Sequence, residues 1–284
     1  MLDLASYFRY VESPQNESIK KVRVHIEGGS KASKLRKETG QALIEGIHLI
    51  DSWVKADQIE QITSILTTAK NLKNPEIQHL IESCIFDCES RDRAFPEMIL
   101  VDESLASSLT SLINGPLLVC TIQIPRNEYS LRDTVDTLIL DGVQDSGNVG
   151  TMLRTAAAAG FMRVICTTGT ASIWSLKVLR AGMGAHLFLE ILESVSVQDI
   201  LDQTQNQLLA THLQNQSIDL YLLGERLHKP VNWVMGNEGQ GVQAQFLDQS
   251  ISVRIPQAKG IESLNVSSAC AICLFETVRA RKYA

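Results

Sequence analysis

Three segments of this chain concentrate residue types that do chemistry when a ligand stands beside them. The first, Asp141-Gly-Val-Gln-Asp-Ser-Gly-Asn148-Val-Gly150, opens a predicted helix that presents Arg154 about two turns in. Small residues at a helix N-terminus let backbone N–H groups approach an anionic or polar ligand. Asn148 also suits a helix N-cap, which alone would account for it, and Arg154 equally fits a surface arginine. The second segment, Met235-Gly236-Asn237-Glu238-Gly239-Gln240-Gly241, holds three glycines within six residues. Its spacing is not GxGxxG, and no GKS or GKT phosphate loop occurs in the chain. A glutamate in such a loop would repel a pyrophosphate; a ligand with positive charge, such as a sulfonium, or a neutral adenosine suits it better. The third segment runs from Ile255-Pro256-Gln257 through Gly260 to Ser263-Leu264-Asn265-Val266. It leaves a strand, turns at the glycine and opens a helix at a polar cluster in which Ser263 and Asn265 are of capping type.

Each segment follows an apolar run of strand length, and α/β sheets hold ligands outside the carboxyl ends of their strands. VDTLIL (135–140), MRVICT (162–167), LFLEI (187–191), QLLATHL (207–213), VNWVMG (231–236) and ISVRIP (251–256) are predicted strands. Helices are predicted over NVGTMLRTAAAAG, stopped by Gly160, around SLKVLRAGMG, and over the final NVSSACAICLFETVRARK. Strands alternating with helices imply a mostly parallel sheet covered on both faces. In the first half, QALIEG (41–46) reads as a buried strand continuing into a helical IHLIDSWV. IESCIFD (81–87) and LLVCTIQI (117–124) read as strands separated by a helical SLASSLTSLI. Residues 1–18 read as a poorly tied leader. PRNEYSLRD reads as the linker region. The expected division is a leader (1–18), a first domain (19–125), a linker (126–132) and a second domain (133–284).

Bulk properties bound the function classes. A chain of 284 residues, 44% apolar and 20% charged, suits one large or two ordinary globular domains. No apolar run approaches the roughly 18 residues that would cross a bilayer. No basic lead with an apolar stretch opens the sequence, so a cytoplasmic, non-membrane protein is expected. The formal net charge of −6 argues against a broad nucleic-acid-coating surface. One segment nonetheless gathers Lys20, Lys21, Arg23, Lys31, Lys34, Arg36 and Lys37, which by themselves read as a solvated helix and loop. Cys270-Ala-Ile-Cys273 has CxxC spacing but lacks the second ligand pair of a zinc site and lies in a helical pattern, so no metal is expected.

In order and content, the three segments resemble the SpoU (TrmH) family of the SPOUT methyltransferases. DSGNVGTMLRTA matches its N-x-G-x-x-x-R motif, MGNEGQG its G-N-E-G-x-G motif, and IPQAKGIESLNVSSA the motif that ends in S-L-N-V-S. The family often has proline where Asp145 or Ser146 stands here. The resemblance covers roughly 133–284. More weakly, KASKLRKETGQALIEGIHLI resembles the start of the family's N-terminal substrate-binding domain, a small ribosomal-protein-like α/β/α unit that grips RNA. That turns Lys31, Lys34, Arg36 and Lys37 into expected RNA contacts. The resemblance implies a C-terminal trefoil-knotted parallel-sheet domain, a homodimer, and methyl transfer from S-adenosylmethionine to an RNA ribose 2′-hydroxyl. Ribosomal RNA is the expected target, with transfer RNA and a non-catalytic RNA-binding relative as alternatives. It implies catalytic roles for Arg154, Asn148, Glu238, Ser263 and Asn265, with Arg154 anchoring an RNA phosphate. Met235, Gly236, Asn237, Gly239, Ile255, Pro256, Leu264 and Asn265 are the implied cofactor contacts.

Overall fold

The computed structural model describes residues 3–125, 130–132, 134–214, 216–260 and 263–282. The chain divides into two compact units: Met1–Arg126 with Trp174–Arg180, and Asn127–Ile173 with Ala181–Ala284. The expected linker, 126–132, falls largely outside the described residues.

The first unit runs β1 (Arg9–Val11), α1 (Glu17–Glu27), α2 (Gly29–Thr39), β2 (Gln41–Glu45), α3 (Ile47–Lys55), β3 (Ile62–Thr68), α4 (Pro75–Ser90), β4 (Glu97–Val101), α5 (Glu103–Ala106) and β5 (Leu118–Gln123). Its five-stranded sheet has the order β1-β4-β3-β5-β2. β1, β4 and β3 are parallel to one another, whereas β5 is antiparallel to both β3 and β2. Ile19 and Val22 of α1 pack with Leu43, Leu66, Ile99 and Val119 of the sheet in one apolar core. Gly40 ends α2 in the left-handed conformation (φ 66°), a backbone state that costs glycine little.

Three expectations for this half are corrected. Residues 81–87 are not a strand but the middle of α4. Asn74 caps that helix by accepting from the Glu76 N–H at 2.8 Å, Pro75 stands at its first turn, and Ile77, Leu80, Ile81, Cys84, Ile85 and Cys88 recur at helical spacing on its buried face. The supposed leader contributes β1, which pairs with β4 at the sheet edge and buries Val11 in the same apolar core. Of the helix expected over 104–113, only the first three residues are helical, as the end of α5.

From Thr137 on, the chain runs β6 (Thr137–Asp141), α6 (Ser146–Ala159), β7 (Arg163–Thr167), α7 (Leu176–Gly182), β8 (Glu190–Val195), α8 (Val197–Gln203), β9 (Gln207–Thr211), β10 (Ile218–Asp219), β11 (Val231–Gly236), α9 (Ala244–Leu247), β12 (Ile251–Arg254) and α10 (Val266–Lys282). Most of α7 groups with the first unit. The seven-stranded sheet is parallel throughout, in the order β10-β12-β9-β11-β6-β7-β8. Every residue of β6 and β11 is buried, as expected where both faces of a parallel sheet are covered. Ile139, Ile165, Val234 and Phe246 fill one side. On α10, Thr277 accepts a hydrogen bond from the indole N–H of fully buried Trp233 at 3.0 Å. One predicted strand is displaced: the first two residues of LFLEI end a 3₁₀ turn (Ala185–Phe188), and β8 begins at Glu190. Among the described residues, no helix is long and apolar enough to cross a membrane.

Candidate active site

Because β12, β9, β11 and β6 are successive neighbours, their carboxyl ends lie side by side, and the loops leaving them converge. A cavity of about 680 Å³ opens there, between the ends of β9, β11 and β12 and the start of α10. Ile255, Leu264 and Val266 give it an apolar wall, while Glu238, Ser263 and Asn265 bring polar groups to its edge.

The glycine-rich loop is shaped by two constraints. Asn237 and Gly241 exchange backbone hydrogen bonds (3.0 and 2.8 Å), folding the loop back on the strand it leaves. That return brings Gly241 and Val242 so close to Gly236 that a Cβ there would stand 2.3 Å from their backbone atoms. Only glycine fits, which gives the first glycine of the segment a steric reason. The Asn237 side chain fixes both sides of the loop: its Nδ2 donates to the Gly142 carbonyl at 2.8 Å, and its Oδ1 accepts from the N–H groups of Gly239 and Gln240.

All three sequence segments meet in one hydrogen-bonded chain. Asn265 caps α10, its Oδ1 accepting from the N–H groups of Ser267 (2.9 Å) and Ser268 (3.3 Å). That leaves its Nδ2 to donate to Asn148 Oδ1 at 3.0 Å. Asn148 Nδ2 in turn donates to Glu238 Oε1 at 3.1 Å. Each amide has one donor end and one acceptor end, so the cap at Asn265 and the carboxylate at Glu238 together fix both orientations. Burial raises the Glu238 carboxyl, but hydrogen bonds from Asn148 and from backbone N–H groups, Gln144 among them, outweigh it and hold the pKa below its ordinary value.

Asn148 itself is not the N-cap of α6. Asp145 is, accepting from the Asn148 N–H at 2.8 Å, so Asn148 lies inside the first turn with its side chain free for the other two loops. Ser146 occupies the first helical position, where proline is well tolerated.

The remaining expected residues divide. Gly236, Asn237, Gly239, Ile255, Ser263, Leu264 and Asn265 line the cavity. Met235 is fully buried in β11 and Pro256 is exposed, and neither lines it. Arg154 is exposed on α6, away from the cavity wall. In the first unit Lys31, Lys34 and Lys37 are exposed along α2, with Lys34 paired to Glu38 at 3.7 Å. Arg36 departs from them: it is only 8% exposed and lies close enough to His25 to help depress that imidazole's pKa.

Several cavity residues carried no sequence motif. Thr211 and His212 follow from β9 ending beside β11, a neighbour relation that needs the strand order. Gln257, within the third segment but given no role there, lines the cavity with its Oε1 buried and unpartnered among the described residues. Cys270 and Cys273 are buried on α10, where burial pushes both thiols up, and among the described residues no group of His, Cys, Asp or Glu side chains is arranged to hold a metal.

Comparison with known proteins follows the same outline. The SpoU rRNA methylase family model matches residues 137–275. An uncharacterised tRNA/rRNA methyltransferase of Synechocystis sp. is 30% identical over 98% of this chain and 97% of its own length. The 23S rRNA (guanosine(2553)-2′-O)-methyltransferase RlmP of Bacillus subtilis is 28% identical over 94% and 98%. The crystal structure of an AdoMet-bound rRNA methyltransferase from Sinorhizobium meliloti superposes with a TM-score of 0.78 at 27% identity, covering 98% of this chain and all of that one. With its motif loops gathered at the carboxyl edge of a parallel sheet and full-length similarity to these proteins, the chain belongs to the SpoU rRNA methylase family.

Proposed function

We propose that this protein transfers a methyl group from S-adenosylmethionine to a ribose 2′-hydroxyl of ribosomal RNA, acting in the cytoplasm as a homodimer. The observation that carries the reading is the Asn265–Asn148–Glu238 chain, which joins three loops far apart in sequence at the edge of one cavity. The residues present fit the cofactor. Ile255, Leu264 and Val266 offer an apolar wall for a flat heterocycle, and the Gln257 carbonyl lacks a donor that an amino group would supply. Glu238, held ionised, suits a ligand with positive charge. When bound, S-adenosylmethionine supplies the methyl group on a positively charged sulfur.

The protein's own groups have the tasks of orienting the ribose and handling charge. A guanidinium keeps its proton up to a pKa of about 12 or above, so Arg154 serves as an anchor for an RNA phosphate and as a hydrogen-bond donor rather than as a base. Its exposure on α6 suits a contact with RNA or with a second subunit that completes the site. Ser263 and Asn265 hold the third loop at the cavity edge, and Glu238 orders the glycine-rich loop through Asn148. A trefoil knot, threaded by the loops after β11 and β12, belongs to the same reading and is supported by their meeting at one cavity. The first unit, with a leader at 1–18 narrowed by β1, is read as the RNA-gripping domain, linked near 126–132. Its mixed sheet between helices and the exposed lysines of α2 support that role.

The Synechocystis relative is named for both tRNA and rRNA, so transfer RNA is the second substrate reading. Mapping 2′-O-methyl groups in both RNA classes, from cells with and without this gene, tests the proposal. A ribosomal site lost with the gene supports it. A loss confined to transfer RNA favours the second reading, and no loss in either class overturns both.

A further inference from the structure

Beyond the motif residues, Asp141 occupies an unusual place. It is the last residue of β6, 1% exposed, and its ladder partner on β11 is Gly236, where the glycine-rich loop begins. A buried carboxylate is costly unless its lone pairs are satisfied, and here they are. Oδ2 accepts from the Gln243 backbone N–H at 2.7 Å. Oδ1 accepts from the Gln243 side-chain amide and from the Thr167 hydroxyl at 3.1 Å. Gln243 is the residue just before α9, at the far end of the loop that lines the cavity.

The loop is therefore held at both ends by adjacent residues of one strand end. Asn237 binds the Gly142 carbonyl at the loop's start, and Gln243 binds Asp141 at its finish. Between these points lie Glu238, Gly239, Gln240 and Gly241, all on the cavity wall. The Asn237–Gly241 backbone pair and buried Val242 shape the loop itself, while the Asp141–Gln243 bonds tie its end to β6.

We propose that Asp141 is a positioning residue for cofactor binding: through Gln243 it holds the glycine-rich loop in the shape that receives S-adenosylmethionine. The inference rests on the proposed function for the identity of the ligand. It assigns Asp141 no contact with the reacting atoms. An asparagine at 141 keeps the size but removes the charge and, with its oxygen on the Gln243 backbone N–H, turns the acceptor shared by the Gln243 side chain and the Thr167 hydroxyl into a donor, so both of those bonds must be remade. A glutamate at 243 restores a matched pair, because the new Nδ2 then donates to the new carboxylate.

The test is calorimetric binding of S-adenosylmethionine to the full chain, with steady-state methyl transfer and thermal melting alongside. Asp141→Asn raises Kd and the cofactor KM by about tenfold or more, while kcat at saturating cofactor changes much less. The double variant Asp141→Asn with Gln243→Glu recovers most of the affinity. Gln243→Ala, which leaves Asp141 its backbone and Thr167 donors, weakens binding without altering the carboxylate and serves if Asp141→Asn does not fold. Unchanged Kd in a folded Asp141→Asn or Gln243→Ala protein overturns the inference, as does a double variant no better than the single. Lack of binding by the unaltered protein would instead overturn the proposed function.

Discussion

The amide of Asn148 donates to the carboxylate of Glu238 at 3.1 Å across 90 residues of sequence, and this contact ties the first motif loop to the second. Its direction is fixed, because the other end of Asn148 accepts from Asn265, whose own acceptor caps α10. Glu238→Gln places a second donor in a chain that already has its donors assigned. Losing a hydrogen bond to a charged group predicts a fall in kcat/KM of about tenfold to a hundredfold, read by methyl transfer to RNA. A Glu238→Gln protein with full activity would remove the network from the account.

Arg154 predicts a different kinetic signature. It is exposed and lines no part of the cavity, so Arg154→Ala leaves cofactor affinity within about twofold while methyl transfer falls by about a hundredfold or more. Calorimetry and single-turnover transfer separate the two quantities. Near-normal transfer with intact binding contradicts the assigned role.

The motif loops and the parallel sheet were legible in the sequence because both leave local marks. Glycine runs, capping residues and strand-length apolar stretches survive without tertiary context. Residues 81–87 misled for a physical reason: a short apolar run has no period of its own. The signal lay upstream, in Asn74 capping and Pro75 at the first turn of α4. Asn148 reads as a cap from composition, yet Asp145 three residues earlier satisfies the helix end and frees Asn148. Asp141 and His212 were not legible as site residues. Their placement comes from strand adjacency, β6 beside β11 and β11 beside β9, which no stretch of sequence encodes locally.

The basic helix α2 also makes a graded prediction. Lys31, Lys34 and Lys37 are exposed, whereas Arg36 is buried beside His25. Replacing the three lysines by alanine weakens RNA binding and lowers the salt slope by about 0.7–0.9 for each phosphate that a lysine no longer neutralises. Arg36→Ala acts chiefly on the stability of the first unit, seen in melting. Unchanged affinity and slope in the triple-lysine variant would return α2 to a solvated surface.

His25 gives the first unit a pH dependence with a defined sign. Burial, helped by the Arg36 charge, lowers its pKa from 6.5 to about 4. Above the unfolded value the imidazole is neutral in both states. As pH falls from about 6.5 towards 4 the unfolded chain takes up a proton that the folded one refuses, so stability drops across that window. His186, buried in the second unit with a pKa lowered to about 4, gives that unit a dependence of the same sign. His25→Gln flattens the slope of stability against pH in denaturant titrations, and an identical slope would contradict the placement of this side chain.

The central claim, methyl transfer to an RNA ribose, has a direct chemical readout. Purified protein is incubated with isotopically labelled S-adenosylmethionine and ribosomal RNA from cells lacking the gene, and the RNA is then hydrolysed in alkali. A methylated 2′-hydroxyl cannot attack the neighbouring phosphate, so the account predicts label in alkali-resistant dinucleotides at a discrete position. Label released in mononucleotides, as a methylated base would give, or no incorporation despite cofactor binding, would contradict it.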